Sequence, residues 1–279
     1  MIGRYFGLML RKGSGEPLVL LHGIISGERV WSNVLPLLAP HHDVIVLTTL
    51  GHNGGPPVTI RPANLDHLID DVERQLDELG VGKVHLAGNS LGGWIAIELA
   101  RRGRARTVCA LSPAGAWDHD WTDKQRVFKL LSDALRDARR LRGLAPLGAN
   151  SKLVRRIALR HMAVHGERVS PAEFLAALDD TAGCVIAEDL LADGAQLEPL
   201  DPTPCPITLA WSARDQLFLV DVYGARARHL IPGARFVVLE DVGHVPMFDD
   251  PQLVAQTILA TTRQSSSEDL VEGSVTRLP

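Results

Sequence analysis

Cysteine is scarce here: Cys109, Cys184 and Cys205 are the only three in 279 residues. An odd, widely spaced set excludes a disulfide framework and a paired-cysteine metal site, and it fits a reducing, cytoplasmic compartment. Aromatic residues make up 5% of the chain. No basic run interleaves with them, which argues against a nucleic-acid surface. No stretch reaches the 18 or so consecutive apolar residues of a membrane-spanning helix, so stable membrane insertion is not expected. The N-terminal MIGRYFGLMLRKGSG has too short an apolar run for a secretory signal, and its charges lie on the wrong side. There is no internal repeat. A net charge of −4, from 29 basic and 33 acidic residues, names no partner by itself.

What is present is a core. The chain is 46% hydrophobic and 22% charged, ordinary for one large domain or for a domain carrying a substantial insertion. PLVLLHG (Pro17–Gly23) and DVIVLTTLG (Asp43–Gly51) are continuous apolar runs ending in glycine, the pattern of strands buried on both faces. Leu65, Leu68, Ile69, Val72, Leu76 and Leu79 follow at helical spacing, with Gly80 as a stop. Lys83–Ser90 reads as a strand and Leu91–Gly103 as a helix with Arg-Arg-Gly at its end. Thr107–Gly115, Pro206–Asp215 and Ala234–His244 read as further strands, and Pro251–Thr262 as a closing helix. Strands alternating with helices define an α/β architecture: a mostly parallel central sheet flanked by helices, with ligands expected beyond the strands' carboxyl ends.

The rhythm stops at Ala116 and resumes near Pro206. The intervening residues show helical patches at Lys124–Leu141, Ser151–His165, Pro171–Asp180 and Val185–Leu191, the first two rich in arginine. The expected organisation is a core of residues 1–115 and 206–263, a helical cap insertion at 116–205 over the sheet's carboxyl edge, and a mobile tail at 264–279. The cap arginines form either a solvated helix face or an attraction for an anionic substrate or membrane surface.

One stretch carries chemistry. Gly88-Asn89-Ser90-Leu91-Gly92 is a G-x-S-x-G sequence at a strand-to-helix junction. A turn this tight brings two backbones together around the serine, where a flanking Cβ would clash. The turn thrusts the serine hydroxyl outward, and the N–H of Leu91 falls at a helix N-terminus, suited to a developing oxyanion. Alone the pattern is weak, since about one chain in ten of this length meets it by chance at roughly 7% Gly and Ser. A serine nucleophile also needs a base and a group to orient that base. Among eleven histidines, His244 follows the last strand in EDVGHVPMFDDP. Asp215, in WSARDQLF, closes the preceding strand. Asp241, Asp249 and Asp250 compete for the acid's role but lie too close to His244 or beyond it. In LLHGII the N–H of Ile24 is the natural second oxyanion donor.

With these residues in place, the chain resembles an α/β-hydrolase-fold serine hydrolase of the capped esterase and lipase type, over roughly Pro17–Thr262. The resemblance implies a triad of Ser90, Asp215 and His244 in the family's chain order. It implies an oxyanion hole at Ile24 and Leu91, a small-molecule substrate, and no cofactor or metal. It also places His22 as a brace for the oxyanion loop. Asn89 is expected to tolerate the turn, and Trp31 and Trp94 to fill the core. His52, Asn53, Trp117 and Trp121 stand either as structure or as pocket lining. One segment departs from the family pattern: Thr48 stands where relatives often carry the Asp of an Asp-x-x-Gly-x-Gly loop.

Hydrolysis of a carboxylic ester with an apolar acyl part is the expected activity. A serine here disfavours epoxide and haloalkane chemistry, which the fold performs with an aspartate. A cofactor-free perhydrolase or haloperoxidase, an acyltransferase and a carbon–carbon bond hydrolase share the same triad. A small-molecule receptor with negligible turnover is the alternative from another class.

Overall fold

The computed structural model describes residues 9–117 and 122–272. Seven strands form one sheet: β1 (Leu10–Lys12), β2 (Pro17–Leu21), β3 (Asp43–Leu47), β4 (Val84–Asn89), β5 (Ala105–Leu111), β6 (Ile207–Ser212) and β7 (Arg235–Leu239). Their spatial order is β1-β3-β2-β4-β5-β6-β7, parallel throughout except for β1, which pairs antiparallel with β3. Helices α1 (Leu35–Leu38), α2 (Leu65–Glu78) and α3 (Leu91–Arg101) belong to the first half. Between β5 and β6 come α4 (Thr122–Leu141), α5 (Ala145–Gly148), α6 (Lys152–Ala158), α7 (Pro171–Gly183) and α8 (Ala187–Ala192). The last three are α9 (Ala225–Leu230), α10 (Pro246–Asp249) and α11 (Pro251–Glu272).

The continuous apolar runs are explained by side-chain alternation. Val19, Leu21, Ile45 and Leu47 pack on one face of the sheet with α2 and α3. Leu18, Leu20, Val44 and Val46 pack on the other face, against Val254 and Ile258 of α11. Because the period is two and both faces are covered, every position in such a strand must be apolar.

Topology places the site. From β2 the chain moves outward to β3, then returns to lay β4 on the other side of β2. The carboxyl ends of β2 and β4 therefore diverge at a switch point, where open α/β sheets leave a crevice. Register pairs Leu21 of β2 with Gly88 of β4, so the Gly23–Ile24 loop and the β4–α3 junction are neighbours.

Backbones meet closely there. A Cβ on Gly88 would stand 2.2 Å from the carbonyl of Gly92, and one on Gly92 would stand 2.3 Å from the carbonyl oxygen of Leu21. Neither backbone has room to retreat. Gly88→Ala is therefore expected to cost about 3 kcal/mol or more, at the upper end of overpacking. Urea unfolding with an unchanged m-value checks this.

The structure differs from the sequence expectations at several points. β1 carries no apolar strand pattern: three residues, Leu-Arg-Lys, two of them charged, form an exposed edge strand. α9 and the turn of π-helix before it, Val220–Gly224, fill a connection read as loop. The expected helix over Ser151–His165 ends at Ala158. Farther on the backbone turns outward to tertiary partners: the Asp249 carboxylate captures the N–H groups of Val164 at 3.0 Å and His165 at 2.7 Å, which a helix through 165 would need for itself. The closing helix, expected to stop at Thr262, runs to Glu272. No glycine or proline interrupts that sequence before Gly273. Among the described residues, no strand lies between Leu111 and Ile207, and no helix is long and apolar enough to cross a membrane.

Candidate active site

Ser90 sits between β4 and α3 with φ 55° and ψ −116°. A non-glycine residue in this region is strained, and the surroundings hold it there from three sides. Its N–H donates to Leu111 O at 3.0 Å, and its carbonyl accepts from Ala114 N at 3.0 Å and Trp94 N at 3.1 Å. With the backbone fixed, the side chain lines a cavity of about 770 Å³ that also contains His244, Gly23, Ile24 and Leu91. Leu91 is the first residue of α3, where an N–H has no partner one turn earlier within the helix.

His244 and Asp215 come together. His244 Nδ1 lies 2.7 Å from Asp215 Oδ2, with both side chains buried. The second carboxylate oxygen of Asp215 accepts the N–H groups of Leu217 and Phe218, each at 2.8 Å. That arrangement orients the acid, because one oxygen is spent on the loop and the other faces the imidazole. A carboxylate only accepts, so Nδ1 carries a proton, and in the neutral ring Nε2 is the nitrogen with the lone pair. Phe218 acts twice, since its ring also meets the His244 ring edge to face at 4.8 Å. The Phe218 carbonyl is pinned in turn by the indole N–H of Trp211 on β6, at 2.7 Å.

The competing acids have other work. Asp241 pairs with His165 Nε2 at 2.9 Å. Asp250 accepts from Leu253 N at 2.9 Å. Asp249 accepts from Gly243 N at 2.8 Å besides Val164 and His165, tying the loop before His244 to the α6–α7 connection.

Asn89 does more than tolerate the turn. Its amide donates to Leu111 O at 3.2 Å and to His244 O at 2.9 Å, joining β4 to the loop that carries His244. It is a positioning residue. Asn89→Ala takes this donor from the His244 carbonyl, while Leu111 O keeps the Ser90 N–H, and kcat should fall about tenfold, the equivalent of one buried hydrogen bond, with KM little changed. Steady-state kinetics on one ester separates the two constants.

The Gly23–Ile25 loop is strained as well. Ile25, a β-branched residue, has φ 52°, a genuine outlier. Its carbonyl accepts from the Thr181 hydroxyl of α7 at 3.0 Å. Beside it, Asp180 of α7 accepts from Arg29 Nε at 3.1 Å and from Asn53 Nδ2 at 3.1 Å. Helix α7 is thus fastened to the loop that offers the Ile24 N–H. Neither Asp180 nor Thr181 stands out in the sequence, because the partners lie about 150 residues away.

His22 braces this loop from below. Its Nε2 accepts the Thr49 N–H at 3.1 Å, so its Nδ1–H donates to Gly23 O at 2.8 Å. His52 meets it edge to face at 4.8 Å and bonds Leu50 O through Nδ1 at 3.1 Å. His52 and Asn53 do not line the cavity. Burial, and then His52, push the His22 ring from 6.5 down to about 3. Burial pushes His52 down to about 4. Both rings bind protons more readily in the unfolded chain, so stability is full above pH 6.5 and declines as pH falls toward 4. A melting series from pH 7 to pH 4 should show a falling Tm; a flat series would contradict it.

Thr48, which replaces the usual Asp, is buried and donates its hydroxyl to Glu28. Trp31 and Trp94 are both buried in the core, and Trp94 and Trp117 also line the cavity. Trp121 lies outside the described residues. The remaining walls are mostly aliphatic, with Leu130, Leu131, Leu178, Leu190 and Leu191 among them. Lys124 is the buried exception. It donates to Asp193 O at 2.6 Å, stands over the Phe128 ring at 4.8 Å, and is pushed down to about 8 by burial. Among the described residues, no cluster of histidine, cysteine or carboxylate side chains is fit to hold a metal.

Residues 18–257 match the model of the alpha/beta hydrolase family, and the chain belongs to that family. It is a hydrolase with relatives of differing chemistry. It is 35% identical over 198 residues to the epoxide hydrolase EphH of Mycobacterium tuberculosis, covering 68% of this chain and 91% of that one. Among solved structures, a thermophilic esterase from Thermogutta terrifontis superposes with a TM-score of 0.66 at 21% identity, over 92% of this chain and 93% of the other. An epoxide hydrolase from Bacillus megaterium superposes with a TM-score of 0.70 at 16% identity, over 91% and 95%.

Proposed function

We propose that the protein hydrolyses carboxylic esters with an apolar acyl part through an acyl-enzyme on Ser90. The observation that carries this reading is the fixed pair His244–Asp215, with His244 lining the same cavity as a serine on a strained strand-to-helix turn. His244 Nε2 takes the Ser90 proton as the serine oxygen attacks the ester carbon. The N–H groups of Ile24 and Leu91 hold the oxyanion, and Asp215 stabilises the imidazolium. Collapse releases the alcohol, which takes the proton from His244. Water then attacks the acyl carbon, gives its proton to His244, and the acid leaves as Ser90 recovers its hydrogen. The aliphatic walls suit an acyl chain, since each buried methylene favours binding by about 0.8 kcal/mol.

Epoxide hydrolysis, the activity two similar proteins are named for, does not suit a serine at position 90. That chemistry in this fold runs through an aspartate, and position 90 carries a hydroxyl. The test is a series of p-nitrophenyl esters of increasing chain length beside an aryl epoxide. We expect steady turnover of the esters, rising with chain length, and none of the epoxide. Epoxide turnover exceeding ester turnover would overturn the reading, and a single burst without turnover would favour a receptor.

A further inference from the structure

Six large aliphatic side chains stand exposed within 17 residues: Leu141, Leu144, Leu147, Leu153, Val154 and Ile157, between 40 and 86% exposed. Single exposed leucines are ordinary, but a contiguous group marks an interaction surface. The group is contiguous. It runs from the end of α4 across α5 to α6, and a Cβ on Gly148 of α5 would lie 3.3 Å from Val154 of α6. Leu141, Leu144, Val154 and Ile157 also line the cavity that holds Ser90, while Leu147 and Leu153 lie outside it. The apolar surface is therefore the outer lip of the candidate active site.

The same stretch is basic. From Arg136 to Arg160 there are eight lysines and arginines and one acid, Asp137, in a chain of net charge −4. Arg136, Arg139 and Arg142 share ion pairs with Asp133, Glu188 and Asp179. Arg140, Lys152 and Arg156 are exposed. On α6, Lys152 and Arg156 are one turn apart, and Leu153, Val154 and Ile157 form the adjoining stripe.

Charge selects the occupant. A second copy packed across a two-fold axis would bring the same cations face to face. A neutral apolar partner would leave them uncompensated. An anionic bilayer accepts aliphatic side chains below its headgroups and cations at them. We propose that this face of the helices between β5 and β6 docks peripherally on an anionic lipid surface, turning the mouth of the Ser90 cavity toward the bilayer. The docking rests on the patch and not on the reaction assigned to Ser90.

The test is cosedimentation of the full chain with vesicles of phosphatidylcholine, alone or mixed with phosphatidylglycerol. Binding is expected to the mixed vesicles only. Each cation near the surface contributes about fivefold, so binding should be lost near 0.5 M salt. The double variant Leu147→Glu/Leu153→Glu should bind at least about tenfold more weakly with unchanged thermal melting. Ser90→Ala should bind as the wild type does, which separates docking from catalysis. No binding to mixed vesicles, equal binding to neutral ones, or undiminished binding by the double variant would overturn the proposal. So would a wild-type dimer on gel filtration that the double variant dissolves, which assigns the face to a second copy.

Discussion

Ser90→Ala is expected to lower kcat on p-nitrophenyl esters by roughly 10⁴–10⁶-fold, the range for losing the nucleophile of a serine triad. It should also abolish labelling of the protein by a fluorophosphonate. Stability should hardly move. Alanine keeps the Cβ, and the strain at φ 55° belongs to the backbone, which Leu111 O, Ala114 N and Trp94 N hold in place. The folded variant therefore isolates the hydroxyl. What activity survives reports binding and the Ile24 and Leu91 N–H groups alone. A variant that keeps wild-type ester turnover would move the nucleophile to another residue of the cavity. Intact-mass measurement after the probe reads one adduct on the wild type and none on the variant.

The elbow was legible in the sequence because its demands are local. Tight backbone contact forces glycine at 88 and 92, and both lie within two residues of Ser90. The strands were legible for a related reason: burial on both faces removes polar residues and leaves continuous runs. Asp215 and His244 could be placed since each follows a strand that could be read. What the sequence hid was non-local. Asn89 looks like a turn residue until the His244 carbonyl appears beside its amide, 155 positions away. Asp249 competed as a catalytic acid, yet three backbone N–H groups from two segments occupy it. Phe218 is one apolar residue among many until its ring meets His244. The helices between β5 and β6 carry ordinary amphipathic periodicity, which says that they pack but not against what. β1 escaped notice because an exposed edge strand needs no apolar alternation.

Asp215→Asn is expected to lower kcat by about 10⁴-fold with little change in melting temperature, comparable to the effect of that change in the serine protease triad. The geometry dictates why. The Leu217 and Phe218 N–H groups both point at one carboxylate oxygen. An asparagine must give its carbonyl to them, because turning its NH₂ there would set donors against donors. Its NH₂ then faces His244 Nδ1. To accept that hydrogen bond the imidazole must shift its proton to Nε2, the nitrogen that takes the proton of Ser90 in the proposed reaction. The variant thus keeps the fold and the loop and loses the base. Asp215→Ala should behave differently. It leaves the two loop N–H groups unpaired and releases the ring, so it costs about 1–3 kcal/mol of stability besides the rate. Adding Asp215→Asn to Ser90→Ala should lower the residual rate no further, since a base with no hydroxyl to deprotonate contributes nothing. A further loss in the double variant would mean that Asp215 serves the reaction by a route other than Ser90.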